Sequence, residues 1–486
     1  MGAANPDGTA ETSPVCHVPD LPVTEAGKRI VLIIAVLAGF LTPFDGSAVN
    51  VALPTIGAEF HMDAVALSWV ATAYLLSSVV FLVPFGKIAD IYGRKKIFLF
   101  GMAVFGLASF LMTMVPTAES LVAVRVFQGL GVSMIYGTSV AILTSVFSPG
   151  ERGRALGIYI TAVYLGLTVG PFLGGIMTDT YGWRSIFYIN IPIAISVILL
   201  VIWKLEGEWA DCRKEKFDYA GAVLYGLAIV AVMYGFSELP SVVGGALILS
   251  GICLAVVFIL FGQRQQHPVL DLRLFSESRV FTFSSLAALI NYSATFAVSF
   301  LLSLYLQFTR GLSPENTGII LIAAPVMQAA FAPFAGRLSD RIDASIIASV
   351  GMGITALGVF MLVFLSDTTP LGYIVIALAV LGIGFGFFCS PNTNAIMSAV
   401  EKRYYGVASG IVSTMRLIGQ MLSMGIATMI FAIVLGHVEI TPEYYPAFDT
   451  SIHYAFVLFT ILSIIGIYAS LIRNEKRQKQ TADSGR

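Results

Sequence analysis

The sequence predicts an all-α integral membrane protein of fourteen transmembrane helices, built as two six-helix halves with two further helices inserted between them. Three observations predict it. Fourteen apolar stretches of roughly twenty residues punctuate the chain, each long enough to cross ~30 Å of hydrocarbon at ~1.5 Å per residue. Twenty-four of the 28 lysines and arginines fall on alternate connections, and therefore on one face. Short motifs from the first half recur in order near the end, at an offset of about 250 residues. A chain that is 57% hydrophobic and only 12% charged is not a soluble protein. Its net charge of −1 is uninformative, because the charges are sorted by face rather than biased in sum.

Residues 1–29 are polar and read as a disordered tail. Lys28-Arg29 before an apolar run resembles a signal peptide, but the run is too long and thirteen more follow it. The N-terminal half, 30–204, holds spans at 30–53, 67–88, 96–116, 119–145, 154–178 and 185–204. Residues 205–280 supply two linkers, 205–218 and 263–280, around the inserted spans 219–238 and 243–262. The C-terminal half, 281–473, holds spans at 281–306, 316–337, 345–366, 371–398, 406–435 and 453–473, and 474–486 form a second tail. The longest loop on the sparsely charged face, 436–452, is expected to lie along that surface. Basic connections stay cytoplasmic, so both termini are placed on the cytoplasmic side of a cell membrane. Cys16, Cys212, Cys253 and Cys389 are far apart and make no CxxC, and the histidines have no metal spacing, so neither a disulfide nor a metal site is expected.

The repeat pairs Gly86-Lys-Ile-Ala-Asp90 with Gly336-Arg-Leu-Ser-Asp340, Gly129-Leu-Gly131 with Gly382-Ile-Gly384, Ala155-Leu-Gly157 with Ala408-Ser-Gly410, and Gly166 with Gly419. Parallel halves with a site between them near the midplane are the architecture of an alternating-access carrier. Only two basic residues, Arg125 and Arg416, lie inside apolar spans, and Asp45 is the one carboxylate well inside a span. Intramembrane charges mark function by default. Asp45 sits ~22 Å along its span and Arg125 a few residues from the far end of span 4, so the two share a depth. Burial penalises the carboxylate charge and a guanidinium offsets that penalty, which suits a group that takes and releases a proton. A static ion pair is the plainer alternative. Arg416, ~15 Å into span 13, is expected to act in coupling, with attraction of anionic cargo as the alternative.

Several motifs resemble the major facilitator superfamily, over nearly the whole of residues 30–473. Gly86-Lys-Ile-Ala-Asp90-Ile-Tyr-Gly93-Arg94-Lys95-Lys96, with its second copy at Gly336, Asp340 and Arg341, resembles the family's gating loop, which latches the inner face. Arg125-Val-Phe-Gln128-Gly129 resembles its span-4 pattern, and Gly166, Gly170, Pro171, Gly174 and Gly175 resemble the glycine seam that marks its antiporters. Phe44-Asp45-Gly-Ser-Ala-Val-Asn50-Val-Ala-Leu-Pro54, Trp183-Arg184-Ser-Ile-Phe187-Tyr-Ile-Asn190-Ile-Pro192 and Ser409-Gly410-Ile-Val-Ser-Thr414-Met-Arg416 are similar to patterns of the fourteen-span drug:proton antiporter branch.

The resemblance implies a transporter rather than an enzyme, exporting small amphipathic compounds in exchange for protons. Asp45, Arg125 and Arg416 would couple, while Asn50, Tyr74, Gln128, Ser390, Asn392 and Asn394 are candidates to line the cavity. Export of one endogenous metabolite or lipid-like compound, or ligand sensing without flux, are the other readings. The bilayer and a small-molecule substrate are the expected partners, for a monomer with no cofactor beyond the coupling proton. No Walker motif is present, so ATP is not expected to drive it, and nucleic acid is not expected as a partner. Some branch members carry extra membrane acids tied to dicationic cargo. Their absence here predicts neutral, monocationic or weakly acidic cargo.

Overall fold

A computed structural model describes residues 24–148, 150–205, 207–210, 215–265, 268–270, 275, 278–339, 341–400 and 405–472. Fourteen helices in it are long and apolar enough to span a membrane. We number them α1 (Glu25–Phe60), α2 (Ala64–Tyr92), α3 (Arg94–Met112), α4 (Ala118–Val146), α5 (Arg152–Tyr181), α6 (Ser185–Lys204), α7 (Tyr219–Ser237) and α8 (Val242–Gly262). The series continues with α9 (Arg279–Thr309), α10 (Pro314–Ser339), α11 (Ala344–Leu362), α12 (Leu371–Ser398), α13 (Tyr405–Val434) and α14 (Tyr445–Ile472). Polar residues set several starts: the side chains of Thr24, Asp63, Thr117 and Ser241 each accept a backbone N–H from the first turn of the following helix.

Several helix ends differ from the sequence reading by a few residues, α1 running on to Phe60 and α2 to Tyr92, and two differences reassign a segment. Residues 25–29, assigned to the tail, are already helical in α1, because Thr24 caps that helix. Residues 445–452, assigned to a surface loop, belong to α14, whose start Pro446 tolerates in the first turn. Asp340 of the second gating motif and residues 1–23 and 473–486 lie outside the described residues.

The repeat is carried by packing as well as sequence. In the first half α1 packs on α5 and α6, α4 on α2 and α3, and α3 on α6. In the second, α9 packs on α13 and α14, α12 on α10 and α11, and α11 on α14, pair for pair. Repeated glycines do the same work in each half. A Cβ on Gly166 would strike α1 at Phe40 O, and one on Gly419 would strike α9 at Leu289 O and Tyr292. Such close backbone approach is what drives helix association where burial of apolar side chains gains nothing over lipid. α7 lies against both α2 and α13, and α8 packs on α7 with most of its surface exposed, as a lipid-facing helix would.

The halves meet at the end remote from the basic connections. There Gln307 Nε2 donates to Val51 O (2.9 Å), Ser68 and Thr428 share a hydroxyl hydrogen bond (2.8 Å), and Ala64 N donates to Val438 O (3.0 Å). Gly175 of α5 and Pro314 of α10 are in backbone contact at the same end. Toward the basic face, a Cβ built on Gly86, Gly153, Gly157 or Gly410 meets nothing within 4 Å. These contacts between the halves lie at the end remote from the basic face.

Candidate functional site

α1, α4 and α6 converge on Asp45. Its carboxylate is fully buried (0% exposed), as are Arg125 (1%), Gln128 (0%) and Asn190 (0%). Arg125 Nη1 donates to Asp45 Oδ2 at 2.7 Å. Gln128 Nε2 and Asn190 Nδ2 donate to Asp45 Oδ1 at 3.2 and 2.7 Å. The guanidinium is held in turn by Val70 O on α2 (Nε, 3.0 Å) and Gln128 Oε1 (2.6 Å). It lies over the Tyr74 ring, 4.3 Å from the centroid. Tyr74 donates to Thr42 O at 3.0 Å, and Ser109 of α3 accepts from Gln128 Nε2 at 3.1 Å.

Two spacings explain why these groups meet. Arg125 and Gln128 stand three residues apart on α4 and so project from one helix face. Asp45 lies ~30 Å along α1, level with that face. Asp45, Arg125, Gln128 and Tyr74, singled out separately from the sequence, are thus one cluster. Asn190 belongs to a recognised motif, yet the motif alone assigns it no role. An amide in an otherwise apolar helix, level with a buried acid, is the signal for it. Its Oδ1 is buried with no hydrogen-bond partner.

Arg416 stands apart from this cluster. Among the described residues it makes no ion pair, and its Nε is buried without a partner. Tyr136, Tyr159, Tyr164 and Tyr292 lie near it, and Tyr292 packs on α13 one turn away at Gly419. Of the other cavity candidates, Asn392 donates to Ser284 O on α9 (3.1 Å), and Asn394 is exposed and donates to Ser339 Oγ (3.2 Å). Ser390 lies against Gly336, and Asn50 is buried on α1. The residue before Ser390, Cys389, contacts Tyr292 through Sγ at 3.4 Å.

The first gating motif is tied within its own half. Arg94 Nε and Nη2 both donate to Asp90 Oδ1 (2.9 and 2.7 Å), and Nη1 donates to Ser145 on α4 (2.6 Å). The linker after α6 straps this loop down, a feature the sequence did not announce. Glu208 Oε1 accepts from Lys95 N (2.8 Å), Trp209 O accepts from Arg94 N (2.9 Å), and Lys87 pairs with Glu215. Trp209 is 1% exposed, and Gly93, at φ 122°, leaves room only for the Glu208 carboxylate. In the second motif Gly336 O accepts from Ser339 Oγ (2.7 Å), and Arg341 is exposed.

The antiporter-type glycines divide their work between two partners. Gly166, Gly170 and Gly174 line the α1 contact, whereas Gly175 and Pro171 touch α10 of the other half. On the remote face Glu59 accepts from Trp183 Nε1 (2.7 Å) and both terminal nitrogens of Arg184 (2.9 and 2.6 Å), locking α1 to the α5–α6 turn.

Comparison with known proteins agrees with this architecture. The family model described as Major Facilitator Superfamily matches residues 35–424 and 284–486. The riboflavin transporter RibZ of Clostridioides difficile (strain 630) is 30% identical over 455 residues, 93% of this chain and 99% of that protein. The multidrug resistance protein Stp of Mycobacterium tuberculosis (strain CDC 1551 / Oshkosh) is 31% identical over 413 residues, 83% of this chain and 76% of that one. A tetracenomycin C resistance and export protein of Streptomyces glaucescens is 26% identical, covering 88% and 80% respectively. Among solved structures, a bacterial homolog of the human lysosomal transporter Spinster, inward-facing and unoccupied, superimposes with a TM-score of 0.68 at 16% identity. That likeness covers 93% of this chain and 97% of the other, and concerns the fold.

Proposed function

The chain belongs to the major facilitator superfamily, and on that premise we propose that it is a proton-coupled exporter of small amphipathic compounds. It works by alternating access in a cell membrane, with the basic face and both termini in the cytoplasm. In this reading a cleft between the halves opens toward the basic face and admits cargo from the cytoplasm. The observation that carries the proposal is Asp45, the lone buried carboxylate among the described residues, held by three donors from two neighbouring helices.

Protonation of Asp45 removes the charge that Arg125 compensates and weakens all three hydrogen bonds at once, since bonds to an ionised acceptor are the stronger kind. α1 also carries Val51, about two turns further on, whose carbonyl takes the Gln307 bond from the other half. A change in the grip of α4 and α6 on α1 therefore reaches the seam that closes the cleft. The likeness to Stp and to the tetracenomycin exporter supports drug-like cargo and outward transport.

Asp45→Asn tests the proposal, because the amide keeps the shape and removes the charge. In inverted vesicles, accumulation of fluorescent amphipaths driven by a pH gradient should be abolished, while equilibrium exchange of preloaded dye persists. Undiminished uphill accumulation by Asp45→Asn would rule the coupling role out. A carrier for one metabolite is the second reading, supported by likeness to the riboflavin transporter along nearly the whole of both chains.

A further inference from the structure

Arg125 and Arg416 lie deep within membrane-spanning helices, well away from their ends, and the structure treats them differently. Arg125 is neutralised by Asp45 and bonded on three sides. Arg416 has no carboxylate against it among the described residues, and its buried Nε donates to nothing. A guanidinium carries five N–H donors in a fixed fork and stays charged. Holding it away from water without a counter-ion is costly unless something else supplies one. Arg416 is only partly buried, so it is a charge with a blocked side and an open side.

Its surroundings say what would fill the open side. Tyr136 comes from α4, Tyr159 and Tyr164 from α5, and Tyr292 from α9, so tyrosines of both halves lie near the guanidinium, and Tyr292 packs on α13 one turn away at Gly419. Tyr159 and Tyr292 are themselves buried, and Cys389 of α12 completes the wall beside Tyr292. Such rings present flat apolar faces with hydroxyls at their edges. Arg416 lies ~16 Å along α13, near mid-membrane. The turns of α5 and α13 between this point and the basic face have open space at Gly157 and Gly410.

We propose that Arg416 and its ring of tyrosines form a recognition point for aromatic carboxylates. The guanidinium takes the carboxylate bidentately and the tyrosine rings enclose the aromatic body. The missing counter-ion is supplied by the cargo. This deepens the exporter reading and rests on it for every step after binding. The site itself needs no proton gradient. Because side chains from both halves contribute, the ring must come apart as the halves rock, which loosens the cargo on the side where it leaves.

The test uses purified full-length protein and two probes of one shape, 2-naphthoate and 2-naphthamide, with thermal stabilisation and tryptophan fluorescence as readouts. The carboxylate should bind at least tenfold more tightly than the amide. Arg416→Gln should abolish that preference, and Arg416→Lys, which keeps charge but not the fork, should retain only part of it. Equal binding of the two probes by the parent protein, or an unchanged preference in a folded Arg416→Gln variant, would overturn the proposal. If Arg416→Gln does not fold, the probe pair on the parent and Arg416→Lys decide the question. Tyr159→Ala should weaken both probes alike. Binding is scored without a gradient, so failure here is distinguishable from failure of Asp45 to couple protons.

Discussion

Asn190 on α6 donates from Nδ2 to Asp45 Oδ1 at 2.7 Å, on the carboxylate oxygen that Arg125 leaves free. The acid is thereby clamped between two helices rather than tethered to one. Removing either clamp has a different consequence. Asn190→Ala takes away one neutral donor and should lower stability by about 1–3 kcal/mol, the usual cost of leaving a buried acceptor short. Thermal unfolding in detergent, with Asn190→Asp as the harsher comparison, checks the size and the order.

Arg125→Gln should be worse than Asn190→Ala. It strands a carboxylate in a fully buried site, at about 3–5 kcal/mol. Adding Asp45→Asn to that background removes the stranded charge, so the double variant should recover more than half of the loss. A double-mutant cycle from melting curves measures this directly. Additive losses would mean that the two charges do not compensate each other.

At Gly93 the backbone sits at φ 122°, a conformation that side chains resist, and the Glu208 carboxylate occupies the space a Cβ would need. Gly93→Ala should therefore cost about 1–3 kcal/mol through strain at the gating loop. Pairing it with Glu208→Ala relieves the clash but not the strain. The double variant should stay less stable than Glu208→Ala alone, again read by thermal unfolding.

Span number and the repeat were legible because both are periodic features of polarity and glycine placement, which hold wherever a helix must cross lipid. The Asp45–Arg125 pair was legible for a related reason: a charge in hydrocarbon needs a partner at its own depth; Gln128 was read only as a cavity candidate. Asn190 was harder, because a neutral amide announces no partner. The strap of Glu208 and Trp209 over Lys95 and Arg94 was not legible at all, since a polar linker carries no periodicity to say which loop it covers. Arg416 shows the reverse limit. Its depth was readable, but that no carboxylate among the described residues meets it depends on where every other helix went.

The distribution of basic residues makes a prediction about sidedness. Cysteines placed singly at Lys28 and Arg264 should react with a membrane-impermeant maleimide only after cells are opened. Cysteines at Arg310 and His437 should react in intact cells. Reaction of Lys28→Cys in intact cells would reverse the proposed orientation, and export with it.

The last prediction concerns the closed end of the cleft. Gly175 packs on the backbone of Pro314 across the two halves, with no room for a side chain. Ser68 and Thr428 seal the neighbouring seam, at 0% and 1% exposure. Gly175→Leu adds a wedge that only this arrangement of α5 and α10 must accommodate. A change that penalises one of two states shifts the population toward the other. A cysteine at Thr428 should therefore be protected from maleimide in the parent background and labelled severalfold faster with Gly175→Leu. A cysteine at Gly157, which faces open space in this structure, should change the opposite way. The paired readout separates a shift of state from general loosening, because loosening would speed labelling at both positions. Unaltered rates at both would show that the α5–α10 contact does not hold the cleft shut.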